Sequence, residues 1–457
     1  MVLGKRIVHF IGIGGIGMSA LARYFLAKNW LVKGSDVSSS SLTQKLIKEG
    51  VKVKIGHKKG NLRPKTALVI YNQAIPPSNP EIVEARRRHL KILSYPEALG
   101  ELTRKYETIA IAGAHGKSTT TSLISVVLLK VGFDPTVVVG TLLKEFGDRN
   151  FRFGRSRWLV IEADEFHASF LNYSPTYALI TNIDREHLDY YKNFGNVKKS
   201  FLRFIANVKR NGVLVLNRDN KELFGLKNRI KKTAKCNFLK IIWYSLRDSK
   251  KLNSKIKAVL KIPGEHNLSN ALGAYTLARH LGIEEKEILK ALGSYRGTWR
   301  RMEYKGLLKI RNSKFRIPVY DDYAHHPTEI KATLQGLREK YPRSKLVCVF
   351  QPHQAERLRL LFRDFVRAFD EADILVLCPA YRVAGRDKIH KAYSSEMLAK
   401  AIAIRNSKLG LENSVVYLSS PKRLRQILNS KFETLNSAVI VMMGAGDIVN
   451  YTKLLLS

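Results

Sequence analysis

The sequence predicts an α/β protein of three domains, each built on a mostly parallel sheet. Three observations carry this. The 457 residues are too many for one hydrophobic core, and 45% hydrophobic content lets each part build its own. Apolar strand-like runs alternate with helix-length amphipathic segments along the chain. Two of the runs end in glycine-rich turns that open helices, "FIGIGGIGMSALA" from residue 10 and "IAGAHGKSTTTSLI" from residue 111.

In residues 1–104, "RIVHFIGIG" reads as a strand entering a turn and "GMSALARYFLAKNW" as a helix with one apolar face. "LVKGSD" and "TALVIYN" are the next strands, and "SSLTQKLIKEG" and "PEIVEARRRH" the helices between and after them. A second unit, 105–297, starts at "YETIAIAGAHGKSTTT" and continues through the strands "WLVIEADE", "TYALITNID" and "GVLVLNRDN". "PGEHNLSNALGAYTLARHLG" then opens a helix after Pro-Gly. A third unit, 298–457, contains "IPVYDDYAHHPTEI", "KLVCVFQPH", "ADILVLCPAY" and "SAVIVMMGAGD". Several of these strands end in polar residues, which matters because open α/β sheets bind ligands beyond the carboxyl ends of their strands.

Lys and Arg number 79 against 38 acidic residues, a net charge of +41. Such a field attracts anions: nucleotides, phosphorylated substrates, nucleic acid or acidic membrane surfaces. The basic residues are spread along the chain, with no basic tail and no aromatic-rich basic cluster, so no specific nucleic-acid site is expected. No apolar stretch reaches 18 residues, so no membrane insertion is expected. The N-terminus lacks the cleavage region of a signal peptide. Cys236, Cys348 and Cys378 are sparse and odd in number, without metal-type spacing. They fit reduced thiols in the cytoplasm, with Cys348 and Cys378 packed in cores.

The first turn matches G-x-G-x-x-G through Gly12, Gly14 and Gly17, with Asp36 at the end of the following strand. This pattern lets backbone approach a diphosphate and offers a carboxylate to a ribose or base. The second turn is G-x-x-G-K-S through Gly113, Gly116, Lys117 and Ser118, with Ala114 and His115 inside it and Thr119 following. Amides there can surround phosphates, the Lys117 ammonium can reach the terminal one, and the Ser118 hydroxyl can reach Mg²⁺. It falls short of the full P-loop pattern because Ile111 stands at the first glycine position. A dehydrogenase needs no such lysine turn, and a simple ATPase needs no dinucleotide-type turn. Two sites suggest a nucleotide-tagged or phosphorylated substrate in one and ATP in the other. Glu162, Asp164 and Glu165 end a strand near the second turn, and His187 follows the next strand. Mg²⁺ favours oxygen donors, so carboxylates suit it better than a histidine.

Nine ordered stretches resemble the Mur ligase family, and the resemblance spans nearly the whole chain. They include "HFIGIGGIGMSALA", "AGAHGKSTTT", "EADEFHASFL", "TNIDREHLDYY", "PGEHNLSNALGA", "GTWRRMEY", "DDYAHHPTEI" and "VFQPHQAERLRLLF". The resemblance implies a Rossmann-like UDP-binding domain, a central P-loop ATPase-like domain, and a C-terminal Rossmann-like domain that closes over ATP and brings the amino acid. It implies a cytoplasmic, ATP- and Mg²⁺-dependent ligase of peptidoglycan precursor synthesis, a monomer or weak homodimer. The branch it suggests joins L-alanine to the carboxylate of UDP-N-acetylmuramate through an acyl phosphate. The alternative branch attaches a murein tripeptide to the same sugar nucleotide.

By the same resemblance, Gly12, Gly14, Gly15, Gly17, Met18, Ser19 and Asp36 would hold the UDP-sugar. ATP would meet Gly113 through Thr119, together with His266, Asn267, Asn270, Arg301 and Asp322. Ser118, Glu162 and His187 would serve metal ions. Lys117, His187 and Arg301 would be catalytic, and His325, His326, His353, Arg357 and Arg359 would face the reaction centre or the amino acid. Some relatives carry a carbamylated lysine where this chain has Ser200 or Phe201. The segment "CPAYRVAGRDKIH" is more basic than the acidic stretch the family pattern suggests there.

Overall fold

The structure, a computed structural model, describes residues 5–309, 316–381, 391–411, 414–420, 423–432 and 437–456. The basic stretch 382–390 therefore lies outside the described residues. Three sheets are present, each flanked by helices. The first has five parallel strands: β1 (Ile7–Ile11), β2 (Leu31–Asp36), β3 (Lys52–Ile55), β4 (Thr66–Tyr71) and β5 (Lys91–Ser94). Their spatial order is β3-β2-β1-β4-β5. The order reverses direction between β1 and β4, and such a switch point leaves a crevice at the carboxyl end of β1. The first glycine turn occupies that end.

The second sheet contains β6 (Glu107–Ala112), β7 (Thr136–Leu143), β8 (Arg149–Arg152), β9 (Trp158–Ala163), β10 (Tyr177–Ile180), β11 (Val213–Asn217) and β12 (Lys240–Tyr244). Their order is β12-β11-β10-β6-β9-β7-β8, parallel except for the edge hairpin β7–β8. The innermost strands are apolar on both faces, as parallel strands covered by helices must be. All residues of β11 and five of six in β6 are buried. β6 is the middle strand, and the lysine turn leaves its carboxyl end.

The third sheet contains β13 (Glu303–Lys309), β14 (Arg316–Asp322), β15 (Lys345–Phe350), β16 (Ile374–Leu377), β17 (Ser414–Tyr417) and β18 (Ala438–Met443). The order is β13-β14-β18-β15-β16-β17, with only the β13–β14 edge pair antiparallel. Cys348 and Cys378 lie in its core, and burial pushes the Cys378 thiol up to about 12. Cys236 is exposed.

The sequence reading finds the central strands of all three sheets but not β3, β5, β7, β8, β12, β13 or β17. Most of these lie at sheet edges, where alternation is weak. By compactness the three sheets are grouped into two units. The first holds residues 1–186, 193–259 and 270–295, and so both the first and second sheets. The second holds 296–457 with two short insertions from the middle of the chain, 187–192 and 260–269.

Candidate functional site

In the first unit, two phosphate-type turns share one compact body. The turn after β1 is held from below by β2: the amides of Gly12 and Ile13 both donate to the Ser35 carbonyl, at 2.8 and 3.0 Å. Gly12 has φ +79°, a left-handed conformation that favours glycine. The Gly14 amide donates to Asp36 Oδ2 at 2.8 Å, so one oxygen of that carboxylate fastens the turn. A Cβ on Gly14 would meet Asp36 Oδ2 and Thr43 Cγ2 at 3.0 Å each. Gly15 stands at the head of the helix Ile16–Ala27. Met18 and Ser19 are buried in its first turns, and Ser19 Oγ donates to the Ile16 carbonyl at 2.9 Å.

Beneath this turn lies a buried polar network that motif reading does not single out. Glu81 accepts from Ser35 Oγ at 2.7 Å and from Asn61 Nδ2 at 2.7 Å, and His9 Nε2 lies 2.7 Å from it. Burial raises the Glu81 pKa, but these hydrogen bonds outweigh it and hold the carboxylate below its ordinary range. A charged group here keeps Ser35, and hence the Gly12 and Ile13 amides, in place.

The lysine turn follows β6. Gly113 has φ +137° and Gly116 φ +82°, and Gly116 caps the helix Lys117–Lys130. A Cβ at Gly116 would meet Asn270 Oδ1 at 2.4 Å, so Asn270 lies directly against the turn. The Asn182 side chain accepts from the His115 amide at 2.9 Å and donates to the His115 carbonyl at 2.9 Å. His115 Nε2 pairs with Asp184 Oδ2 at 2.9 Å. The amides that remain for an anion are those of the first helical turn, Lys117 to Thr119, which have no intrahelical partner. Ser118 and Thr119 are buried in that turn.

Lys117 Nζ is 2.8 Å from Glu165 Oε2, donates to the Gly113 carbonyl at 2.6 Å, and lies 4.0 Å from Asp164. Burial draws its pKa down, but Glu165, Asp164 and Glu162 outweigh that and hold the ammonium above its ordinary value. Glu162, at the end of β9, accepts from the Gly140 amide at 2.8 Å. Tyr95 lies against the first turn and within electrostatic reach of the carboxylates that follow β9. A Cβ at Gly17 would meet its ring at 2.6 Å, while desolvation and then the charges of Glu162 and Asp164 push its phenol up. Ser200 and Phe201 are core positions: Ser200 is buried and Phe201 meets Phe170 edge to face at 5.2 Å.

In the second unit, a further set of expected residues gathers around Asp322. One carboxylate oxygen accepts from the Met302 amide at 2.7 Å, the other from the Ala324 amide at 2.8 Å. Arg300 and Met302 have φ of 55° and 47°, so Asp322 fastens a left-handed turn. Burial raises its pKa. Arg301 lies 5.1 Å over the Tyr323 ring and 3.4 Å from Glu329. Glu329 also accepts from the His325 amide at 3.1 Å. His326 is buried and accepts from the Thr328 amide at 3.3 Å, capping the helix Pro327–Lys340. His325 meets the His353 ring edge to face at 6.0 Å, and His353 stacks on Tyr381 at 5.5 Å. Burial depresses the His266 imidazole to about 4, with Glu329 opposing and Arg301 assisting. Asn267 donates to the Pro263 carbonyl at 2.7 Å. Arg357 and Arg359 lie on the helix Ala355–Leu360, where Arg359 forms a helix-surface pair with Glu356 at 3.0 Å. His187 heads the short helix Leu188–Tyr191 with φ 55°.

The expected residues thus fall into two groups. Gly12 to Asp36, Gly113 to Thr119, Glu162 and Asn270 belong to the first unit; His187, His266, Asn267 and Arg301 through Arg359 belong to the second. Asn182, Asp184, Tyr95 and Glu329 touch these groups without having been expected, and Glu165, which the sequence places with Glu162 and Asp164 near the second turn, is the ion-pair partner of Lys117. Asn182 and Asp184 fall inside a quoted stretch, "TNIDREH". Glu329 falls inside another, "DDYAHHPTEI", whereas Tyr95 carries no local signal, because only the fold brings it near.

Three family models match the chain: the Mur ligase family catalytic domain at residues 7–107, the Mur ligase middle domain at 111–278, and the Mur ligase glutamate ligase domain at 300–446. A UDP-N-acetylmuramate–L-alanine ligase of Clostridium botulinum (strain Langeland) is 39% identical over 96% of this chain and 95% of the relative. One from Aquifex aeolicus is 41% identical over 97% of this chain and 96% of its own. Among solved structures, the UDP-N-acetylmuramate-alanine ligase of Thermotoga maritima superposes with a TM-score of 0.75 at 26% identity, covering 98% of this chain and 97% of that one. A murein peptide ligase from Psychrobacter arcticus shares the fold, with a TM-score of 0.66 at 21% identity over 99% and 98%. With its three α/β sheets and two glycine turns, the chain belongs to the Mur ligase family.

Proposed function

We propose that the protein is the ATP-dependent ligase that joins L-alanine to the carboxylate of UDP-N-acetylmuramate in peptidoglycan precursor synthesis. The observation that carries the chemistry is the pair of glycine turns in one compact body, one of them holding Lys117 as an ammonium among carboxylates. The choice of alanine rests on full-length relatives that bear that name.

A sugar-linked carboxylate is a poor electrophile. Its oxygen attacks the γ-phosphorus of ATP, the bond to the bridging oxygen breaks, and an acyl phosphate and ADP form. The free amine of alanine then adds to the acyl carbon. The tetrahedral intermediate loses its proton and expels phosphate. Little covalent work falls to the protein, so positioning and charge neutralisation dominate. Lys117 neutralises the terminal phosphate, leaving Glu165 as nucleotide enters. The amides of Lys117 to Thr119 hold phosphate oxygens. Gly12 to Ser19 hold the diphosphate of the sugar nucleotide, and Asp36 keeps that turn closed. In the second unit His266, Asn267, Arg301 and Asp322 meet the nucleotide, and His325, His326, His353 and Arg357 serve the reaction centre. The ion pair of Arg359 with Glu356 makes it the weakest member of that set.

The oxygen donors of Ser118 and Glu162 are the hard ligands Mg²⁺ takes, and Glu162 is already oriented by the Gly140 amide. Mg²⁺ held there would offset the charge developing on the phosphates, and His187 would serve a second ion. We further propose a cytoplasmic enzyme, a monomer or weak homodimer.

The test is phosphate release from ATP and Mg²⁺ with UDP-N-acetylmuramate and single amino acids. Release that requires both the sugar nucleotide and L-alanine is expected. Release only with the murein tripeptide would replace alanine as the acceptor. No release with any acceptor would overturn the ligase reading.

A further inference from the structure

The excess of positive charge is not evenly distributed, and the proposed ligation leaves one long basic stretch unused. Between Gly195 and Arg247 there are fourteen Lys or Arg residues and two acidic ones, against roughly two to one in the whole chain. Both acids are engaged. Glu222 pairs with Lys198 at 2.5 Å, and Asp219 accepts from Ser245 Oγ and the Leu246 amide at 2.6 and 2.7 Å.

Eight of these cations lie on two packed helices and at the start of the edge strand β12. The helix Lys227–Cys236 buries only Ile230 and Ala234, and exposes Lys227, Arg229, Lys231, Lys232 and Lys235. It packs against the helix Phe194–Ala206, whose Lys199 and Arg203 are exposed one turn apart. Lys240 opens the edge strand β12 and is also exposed. Among the described residues no ion pair joins any of these to a carboxylate. Beside them Phe238 is 61% exposed, in a left-handed turn at φ 53°, with the Arg210 guanidinium 4.2 Å over its ring. β12 is separated from β6 by two strands. At ~4.8 Å per strand the patch is on the order of 14 Å from the strand that carries the lysine turn.

We propose that this face docks the protein on a bilayer carrying anionic lipid headgroups. Each cation near such a surface contributes ~1 kcal/mol, and clusters of four to eight suffice for peripheral binding. The exposed aromatic supplies an apolar tip for the interface. A single-stranded nucleic-acid platform would need several open aromatic faces, whereas Phe238 is the one large exposed aromatic of this patch. The helix is tied to the fold by Ile230 and Ala234, so it lies on the membrane surface and does not insert. The proposal is independent of the ligase reading.

The test is co-sedimentation of the full chain with vesicles of phosphatidylcholine alone or mixed with phosphatidylglycerol, at low and physiological salt. Binding is expected only to the mixed vesicles, weakening with salt. Lys231→Glu with Lys232→Glu is expected to lower binding by more than about tenfold. Lys199→Glu with Arg203→Glu, on the other helix, is expected to do the same, and Phe238→Ser to lower it several-fold. Unfolding temperature and ATP turnover should stay near the parent values. Lys408→Glu with Lys453→Glu makes the same change in net charge on the second unit and should leave binding within about twofold. An equal loss in that control would reduce the effect to overall charge and overturn the proposal. So would absence of binding to the mixed vesicles, or their displacement by a single-stranded oligonucleotide bound more tightly by the same residues.

Discussion

Lys117 is held by Glu165 and by carbonyls of its own turn, so its charge is positioned by the protein itself. Lys117→Ala is expected to lower ligation by at least about a thousandfold, the scale of losing a preorganised charge at a transition state. Affinity for the UDP-sugar, measured by calorimetry without ATP, should change little; equal loss of both would merge the two sites. Gly14 gives the opposite discrimination. Its absent Cβ would crowd Asp36 and Thr43, so Gly14→Val should weaken the UDP-sugar by about tenfold or more and leave ATP binding close to unchanged. His266 adds a pH dependence. Its folded pKa of about 4 lies below the ordinary 6.5, so the unfolded chain binds the extra proton first. Its contribution is complete above pH 6.5 and declines as pH falls towards 4, by roughly 3 kcal/mol in full. The drop in unfolding temperature from pH 7 to pH 5 should therefore be smaller in His266→Gln than in the parent.

At the scale of elements, the helix that opens at the first glycine turn is anchored from another sheet. Asn150, on β8 of the second sheet, is fully buried. Its amide donates to the Ile16 carbonyl and to Ser19 Oγ, and its carbonyl accepts from Arg23 Nη1 at 2.7 Å. Arg23 is in turn held by Glu49 at 2.7 Å. Asn150→Ala leaves a buried guanidinium and a carbonyl short of partners, at a cost of about 1–3 kcal/mol. The expected result is a lower unfolding midpoint and a higher KM for the UDP-sugar, with KM for ATP nearly constant. A matching rise in both would make Asn150 a general stabiliser rather than a support of the first turn. Asn150 is hard to find in the sequence, because a lone asparagine in "GDRNFRF" reads as hairpin polarity.

At the scale of the whole molecule, the chain order and the compact units differ. The second unit takes in residues 187–192 and 260–269, which lie far from its main body in sequence. Within that unit Asn267 approaches Met302 Sδ at 3.8 Å, and Gly264 packs against Gly336. A fragment cut at 298–457 lacks both insertions. It is expected to be more readily cleaved by protease, and to unfold at lower temperature, than the same residues in the full chain. Identical protection would show that the insertions add nothing to the unit.

The α/β class, the central strands and the two glycine turns were legible because they depend on local patterning. A buried parallel strand must be apolar throughout, and a phosphate turn must place glycines and a lysine a few residues apart. The edge strands β8 and β13 were not legible, since half-exposed strands lose that contrast. The sequence by itself determined which turns can hold phosphate and which residue types supply charge. The tertiary structure alone decided that Glu165 holds Lys117, that Tyr95 packs against Gly17 of the first turn, and that Asp322 secures the Arg300–Met302 turn. These contacts join residues from separate strands and loops. Their energy depends on distances of a few ångströms that only the packed sheets establish, and no spacing along the chain encodes them.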